Sequence, residues 1–250
     1  MVVKMKIAII SDIHEDITRL EMAFRLIDKK KCDEIICLGD IVGFSDIYYN
    51  YSSTKNASEC IRLIRENCKI VLAGNHDLYA IQKTPIYRAN FQYPSNWYQL
   101  NAIERKNIAN GSLWDYSYDV QPYLTESDMS FLDSLQEVEI AEFDDEKIVF
   151  SHFAYPDLSG STTNFPKSIS DLSEHFSLMN EINCNFSFSG HGHYGGLMLI
   201  NNKMRCEGFG IKKIKTEPIW ASIPCIAEGK HKNGFVIFHV NEKTIETIKL

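Results

Sequence analysis

The sequence lacks an excess of basic residues: 26 Lys and Arg stand against 33 Asp and Glu, a net charge of −7. Such a chain is not drawn to polyanions, which disfavours general nucleic-acid binding and anchoring on anionic membranes. It also lacks any run of about 18 apolar residues, so no transmembrane helix is expected. Between Met1 and Ile10 there are two lysines and a short apolar run, but neither the h-region nor the cleavage site of a secretory signal. The seven cysteines (Cys32, Cys37, Cys60, Cys68, Cys184, Cys206, Cys225) contain no Cys-x-x-Cys pair, which excludes a zinc knuckle or redox pair and leaves reduced, mostly buried thiols. No internal repeat, low-complexity tract or Pro/Gly/Ser linker divides the chain. A cytoplasmic protein folded as one domain over residues 1–250 is expected.

What is present is a βαβαβ opening. Lys6 to Ser11 is a β-branched run, and Ile17, Leu20, Phe24 and Ile27 then follow at helical spacing. The signals recur as strand Glu34 to Leu38, helix Ser58 to Asn67 and strand Lys69 to Ala73. Alternation of this kind predicts parallel strands, with functional groups gathered beyond their carboxyl ends. From about residue 78 to 124 the pattern loosens into an aromatic-rich insert with a helix near Ser95 to Asn110, expected to cover the site while its aromatics pack against the core. Thr125 to Asp128 opens the next helix with a capping box. The second half is β-rich: a hairpin from Glu137 to Phe150, a helix near Ser170 to Asn180, then strands at Asn185 to Ser189, Leu197 to Ile200, Phe235 to Val240 and Thr244 to Leu250. An α/β half followed by a β-rich half predicts two sheets packed face to face with helices outside.

The polar residues after these strands carry the chemistry. Asp12, His14, Asp40, Asn75, His76, His152, His191 and His193 each follow a strand signal, and five of the eight histidines fall among them. Imidazoles grouped with carboxylates suit manganese, iron, cobalt, nickel or zinc better than calcium or magnesium. The alternation of side chains along a strand predicts that Asp12 and His14 face one point while extension persists. Gly190 and Gly192 are expected to supply the backbone freedom of the His191/His193 turn.

These blocks, Asp12-Ile13-His14, Gly39-Asp40-Ile41-Val42-Gly43, Gly74-Asn75-His76-Asp77, His152 and Gly190-His191-Gly192-His193, resemble the signature of the calcineurin-like metallophosphoesterases, in order and spacing and over most of the chain. Met5 to Asp77 looks most like the small bacterial and archaeal phosphodiesterase branch. The resemblance implies an α/β fold of two mixed β-sheets packed as a sandwich flanked by helices. It also implies two divalent transition-metal ions, with manganese ahead of iron, zinc, cobalt and nickel. Asp12, His14 and His193 would bind the first metal, Asn75, His152 and His191 the second, and Asp40 would bridge them. His76 would be catalytic without touching metal. The implied activity is hydrolysis of a phosphodiester or phosphomonoester of a small substrate, such as a nucleotide, by a metal-bridged hydroxide. The alternatives are a nuclease of the same superfamily, against which the acidic balance argues for long nucleic acids, and a catalytically silent protein-binding scaffold, against which the complete ligand set argues.

The sequence also departs from related branches. The protein phosphatases carry Asp-Arg where Gly43 and Phe44 stand here, which removes one partner for the catalytic histidine and leaves Asp46 or Asp77 to orient His76, although Asp77 is equally suited to cap the following helix. Glu15 replaces a frequent glycine and Phe153 follows His152, changes expected to alter the walls of the site. His175, His231 and His239 are expected to be surface or core-edge residues, and the lysines at 212, 213, 215, 230 and 232 a solvated face.

Overall fold

The computed structural model describes residues 5–250; the first four residues of the Met1–Ile10 stretch lie outside the described residues. Strand β1 (Lys6–Ile10) sends Ile7 and Ile9 to one face and Ala8 and Ile10 to the other, and all four are fully buried. A strand apolar on both faces must lie inside a layered structure. It pairs in parallel with β2 (Glu34–Cys37), and β2 with β3 (Ile70–Val71), as the βαβαβ reading predicts. On its other side β1 pairs antiparallel with β11 (Gly234–His239), which continues through β12 (Thr244–Lys249) to β9 (Gly210–Lys213). The first sheet is therefore mixed, in the order β3-β2-β1-β11-β12-β9.

The second sheet has the order β4-β5-β6-β10-β7-β8. The hairpin of β4 (Val138–Phe143) and β5 (Glu146–Ser151) turns at Asp144 and Asp145, whose φ values of 47° and 66° suit their short polar side chains. β5 and β6 (Phe186–Ser189) run parallel, as do β6 and β10 (Ile219–Ser222). β7 (Leu197–Ile200) and β8 (Met204–Gly208) close the edge antiparallel. Ile7, Ile9 and Ile36 from the first sheet meet Phe150, Phe186 and Phe188 from the second in the inter-sheet core.

Helices cover the outer faces. Leu20, Ala23 and Ile27 of α1 (Ile17–Lys30), with Cys60, Ile61 and Ile64 of α2 (Ala57–Asn67), pack on Ala8 and Ile10. Asp16 and Asn56 accept from the amides of Arg19 and Glu59 and start these helices. On the second sheet, Met179 of α6 (Ser173–Glu181) packs against Val149 and Cys184. The capping box at Thr125 opens α5 (Glu126–Ser134) as predicted.

Three differences from the sequence reading stand out. The helix expected over residues 95–110 is shorter: a 3-10 turn at Trp97–Gln99 precedes α4 (Ala102–Ala109), which starts at a capping box of Asn101 and Glu104. Strands β8, β9 and β10 carry no clean alternation and escaped the sequence pattern. His175 is fully buried, not at the core edge: its Nδ1 accepts from the Tyr155 amide at 3.0 Å and its Nε2 lies 2.9 Å from Ser187 Oγ. All seven cysteines are free, and four are buried.

Candidate metal centre

Every candidate residue follows the carboxyl end of one of the parallel strands β1, β2, β3, β5 and β6, where open α/β sheets gather function. His76 and Asn75 open α3 (Asn75–Ala80). The first cluster is Asp12, His14 and His193; His193 Nε2 lies 3.1 Å from Asp12 Oδ1 and 3.2 Å from His14 Nε2. The second is Asp40, His152 and His191, with His152 Nε2 3.1 Å from Asp40 Oδ2. Asp40 Oδ2 also lies 3.8 Å from His14 Nε2, so its carboxylate stands between the two clusters. His76 falls within ligand reach of His14 and Asp40 as well.

The backbone that presents these groups is not extended. Asp12, His14, Asp40, His191 and His193 have φ of 57°, 46°, 53°, 62° and 45°. The strand ends at Ile10, so Asp12 and His14 converge through successive left-handed turns and not by strand alternation, which corrects that expectation. Left-handed backbone at five non-glycine positions of one site is strain held by the surrounding structure. Gly190 and Gly192 do not supply the left-handed backbone of this turn, contrary to expectation. At 191 and 193 the histidines themselves take positive φ, whereas Gly190 is required by close approach: a Cβ there would stand 1.9 Å from Ser11 Oγ and 2.5 Å from Asp12 Oδ2.

Asp77 holds these turns. Its carboxylate accepts from the amides of Asp40 (2.7 Å), Ile41 (2.9 Å), Val42 (3.1 Å) and Gly74 (3.0 Å). It therefore caps α3, as one reading of the sequence proposed, and also ties the Asp40 loop to the Asn75 loop. Glu15, expected to alter the site walls, is instead a buried brace. Its Oε1 accepts from the amides of Gly43 and Phe44, and its Oε2 receives Lys55 Nζ at 2.7 Å. Phe153 does reach the site, with its ring 4.7 Å from that of His191, and Phe165 stacks on the same imidazole at 5.1 Å and 3°.

Neither Asp46 nor Asp77 orients His76. Its Nδ1 lies 2.6 Å from Oδ2 of Asp119, a residue of the aromatic-rich segment, and Gly43 leaves room for the ring, since a Cβ there would sit 2.4 Å from His76 Cβ. From the same segment Tyr116 receives a hydrogen bond from Asn75 Nδ2 at 3.1 Å, which turns the carboxamide oxygen away from it. These two partners are far from His76 and Asn75 in sequence and carry no local signal; only the question of what fixes a buried imidazole could have raised them.

Protonation follows the geometry. Burial opposes ionisation of Asp12 and Asp40, but His193 and His152 beside Asp12, and His152 and His76 beside Asp40, hold both carboxyls well below the usual range. Burial pushes His14 and His191 down to about 3, leaving both imidazoles neutral with a free lone pair. His14 Nδ1 bonds the Gly43 carbonyl and His152 Nδ1 the Leu38 carbonyl, each at 2.9 Å, which fixes Nδ1–H and turns Nε2 inward. Burial acts downward on His152 too, but the Asp40 carboxylate raises it to about 9. For His76 the upward pull of Asp40 and Asp119 outweighs burial.

The donors fit divalent metal. His191 Nε2 and Asn75 Oδ1 are buried with no hydrogen-bond partner among the described residues, and His152 Nε2, equally buried, faces the Asp40 carboxylate. Unpaired buried polar atoms are costly, and the nitrogens of His152 and His191, within 4.8 Å of each other and of an Asp40 carboxylate oxygen, have the spacing and chemistry to hold a cation. A cavity of about 270 Å³ opens over the clusters, lined by His14, Asp40, His76, His191, His193 and Trp114. Lys230 and His231, read from sequence as solvated surface, also line it. Among the described residues no helix is long and apolar enough to cross a membrane.

A family model described as calcineurin-like phosphoesterase matches residues 5–195. The chain is 27% identical over 99% of its length to 88% of the uncharacterized protein MJ0912 of Methanocaldococcus jannaschii. Its fold matches a metallophosphoesterase from Sphaerobacter thermophilus with a TM-score of 0.67 at 20% identity, over 99% of this chain and 89% of that one. A hypothetical protein, PH1004, from Pyrococcus horikoshii OT3 matches with a TM-score of 0.60 at 12% identity, over 98% and 88% of the two chains.

Proposed function

The chain belongs to the calcineurin-like phosphoesterase family, and from that premise we propose that it hydrolyses a phosphodiester or phosphomonoester of a small substrate at a centre of two divalent metals, manganese first among them. The observation that carries this reading is the grouping of buried His152 and His191 nitrogens with an Asp40 carboxylate oxygen, all within 4.8 Å of one another, while His191 Nε2 and Asn75 Oδ1 are buried without a hydrogen-bond partner among the described residues. Asp12, His14 and His193 would hold one metal, Asn75, His152 and His191 the other, and Asp40 both. Two such cations supply Lewis acidity, acidifying water and polarising phosphoryl oxygens.

The remaining work falls to the chain. His76, with Nδ1 engaged by Asp119, is held in one orientation and keeps its other nitrogen as the proton carrier for the leaving oxygen. Asp119 fixes the imidazole and favours its cationic form, which also suits charge growing on the phosphoryl group. Lys230, on the cavity wall, offers positive charge to an anionic ester, and His231 beside it adds a polar ring. Phe153 and Phe165 exclude water from the face of His191. We read the chain as one domain with an insert around residues 78–124. Seven free cysteines suit the reducing cytoplasm.

The test is hydrolysis of bis(p-nitrophenyl) phosphate and p-nitrophenyl phosphate by metal-stripped protein, with and without added manganese, with Asp40→Asn as control. Turnover that depends on manganese and vanishes in the variant is expected. Turnover by protein shown to be metal-free, or silence on both esters with two metals bound, would overturn the reading.

A further inference from the structure

Beside the metal centre lies a second cavity of about 390 Å³, which shares Tyr48 and Trp114 with the first and reaches the ligand Asn75. Its walls come largely from residues 79–118, the segment that supplies Tyr116 to Asn75. More aromatic than aliphatic side chains line it. Part of that aromatic content is structural: Trp97 packs with Phe91 and Tyr93 in a small core of its own, and Tyr79 stacks on Tyr116 at 4.1 Å. Another part is not. Tyr118 and Tyr48 line the cleft yet are 58% and 50% exposed, and Tyr118 has no ring partner among the described residues. Exposed aromatic rings at the mouth of a cleft present π-faces that the fold does not use.

The cleft has polar character of a particular kind. Lys83 and Lys106 on its wall are paired with Asp133 and Asp115 at 3.0 and 3.2 Å. Arg105, also on the wall, has no carboxylate partner among the described residues; its guanidinium donates to the Leu100 carbonyl at 2.9 Å. Ser117, Ser161 and Thr163 add hydroxyls. An acyl chain would meet tyrosine hydroxyls and an uncompensated guanidinium, and an isolated sugar would leave the ring faces without a planar partner. A heteroaromatic base stacks on aromatic faces and bonds hydroxyls at its edge, and its volume suits a cavity of this size.

We infer that this cleft is the base-binding subsite of a nucleotide substrate whose phosphoester lies at the metal centre. The inference rests on the phosphoesterase reading and specifies its substrate class as nucleoside phosphoesters. Trp114 and Tyr48, which border both cavities, lie where the base-bearing portion passes from the metals into the cleft.

The test uses ligands with no ester to hydrolyse. Adenosine and ribose are titrated into the manganese-loaded protein by calorimetry and by tryptophan fluorescence, Trp97 and Trp114 being lining residues. Adenosine is expected to bind roughly tenfold or more tightly than ribose and to quench fluorescence, and Tyr118→Ala to weaken it roughly five-fold or more, the scale of one base–aromatic contact. Tyr118 is exposed, so its loss leaves the fold intact. Adenosine and ribose binding alike, or adenosine binding indifferent to Tyr118→Ala and Arg105→Ala, would overturn the subsite. Such a result with active chromogenic turnover leaves the phosphoesterase reading standing. Tyr118-dependent adenosine binding by a two-metal protein that hydrolyses neither the chromogenic esters nor adenosine phosphoesters instead removes the phosphoesterase reading and with it the substrate role of the cleft, leaving a nucleoside site alone.

Discussion

Asp77→Asn is the sharpest perturbation of the metal-site scaffold, because it keeps shape and size and changes only which atoms can accept. In the native protein Oδ1 accepts from the amides of Ile41 and Val42, and Oδ2 from those of Asp40 and Gly74, all buried. An asparagine has one acceptor oxygen, so in either orientation two of these amides face an NH₂ group, donor against donor. Leaving a buried donor unsatisfied costs about 1–3 kcal/mol, so two cost about 2–6 kcal/mol. That is a large share of the 5–15 kcal/mol expected of a folded domain, yet short of all of it. The assay is urea unfolding of metal-stripped wild type and variant at neutral pH, which keeps metal linkage out of the comparison. The variant should unfold at clearly lower urea with an unchanged slope, and should then bind manganese more weakly, because the loops carrying Asp40 and Asn75 lose their common anchor. An Asp77→Asn stability within about 0.5 kcal/mol of wild type would refute the argument that this carboxylate ties the two loops together.

Other consequences follow from single contacts. Burial lowers His175 to about 4. Unfolded His175 therefore binds a proton below pH 6.5 that the folded state refuses; its contribution is complete above pH 6.5 and drains away toward pH 4, about 2 kcal/mol being lost by pH 5. Urea unfolding at pH 7.5 and pH 5 should show a pH-dependent loss smaller by that amount in His175→Gln, and equal losses in the two proteins would contradict it. Tyr116→Phe removes the partner of Asn75 Nδ2, so one of two bound metals should be weakened roughly 10- to 100-fold in titrations of metal content while the other holds. Asp119→Asn should retain both metals and lower kcat by at least roughly tenfold with little change in KM, since among the described residues its side chain hydrogen-bonds only His76; unchanged kcat would remove Asp119 from the mechanism.

The candidate cluster of ligand-type residues was legible because metal chemistry limits residue types. Asp, His and Asn placed after strand signals announce themselves, and a buried strand such as β1 reads as an unbroken apolar run whatever its neighbours. The parallel order of β1, β2 and β3 follows from the intervening helices, which no tight turn could replace. What local pattern could not supply was contact at long range. Asp119 meets His76 across 43 residues and Tyr116 meets Asn75 across 41, and both partners lie in a segment whose aromatics read as packing. Hydrogen bonds of that separation leave no periodicity, because the positions between them obey other constraints. Strands β8 to β10 were hidden for a related reason: strand signals depend on alternation, and an edge strand such as β9, exposed along most of its length, has little of it. Left-handed turns at Asp12, His14, Asp40, His191 and His193 likewise cannot be read from non-glycine residues, whose intrinsic preference opposes that backbone. The sequence by itself determined which groups could bind metal and the order of the opening strands. Tertiary structure decided how the turns bend those groups together and which distant residues hold them there, since packing and long-range hydrogen bonds, among them the amides on Asp77 and Glu15 and that of His191 on Asp12, keep strained backbone in place.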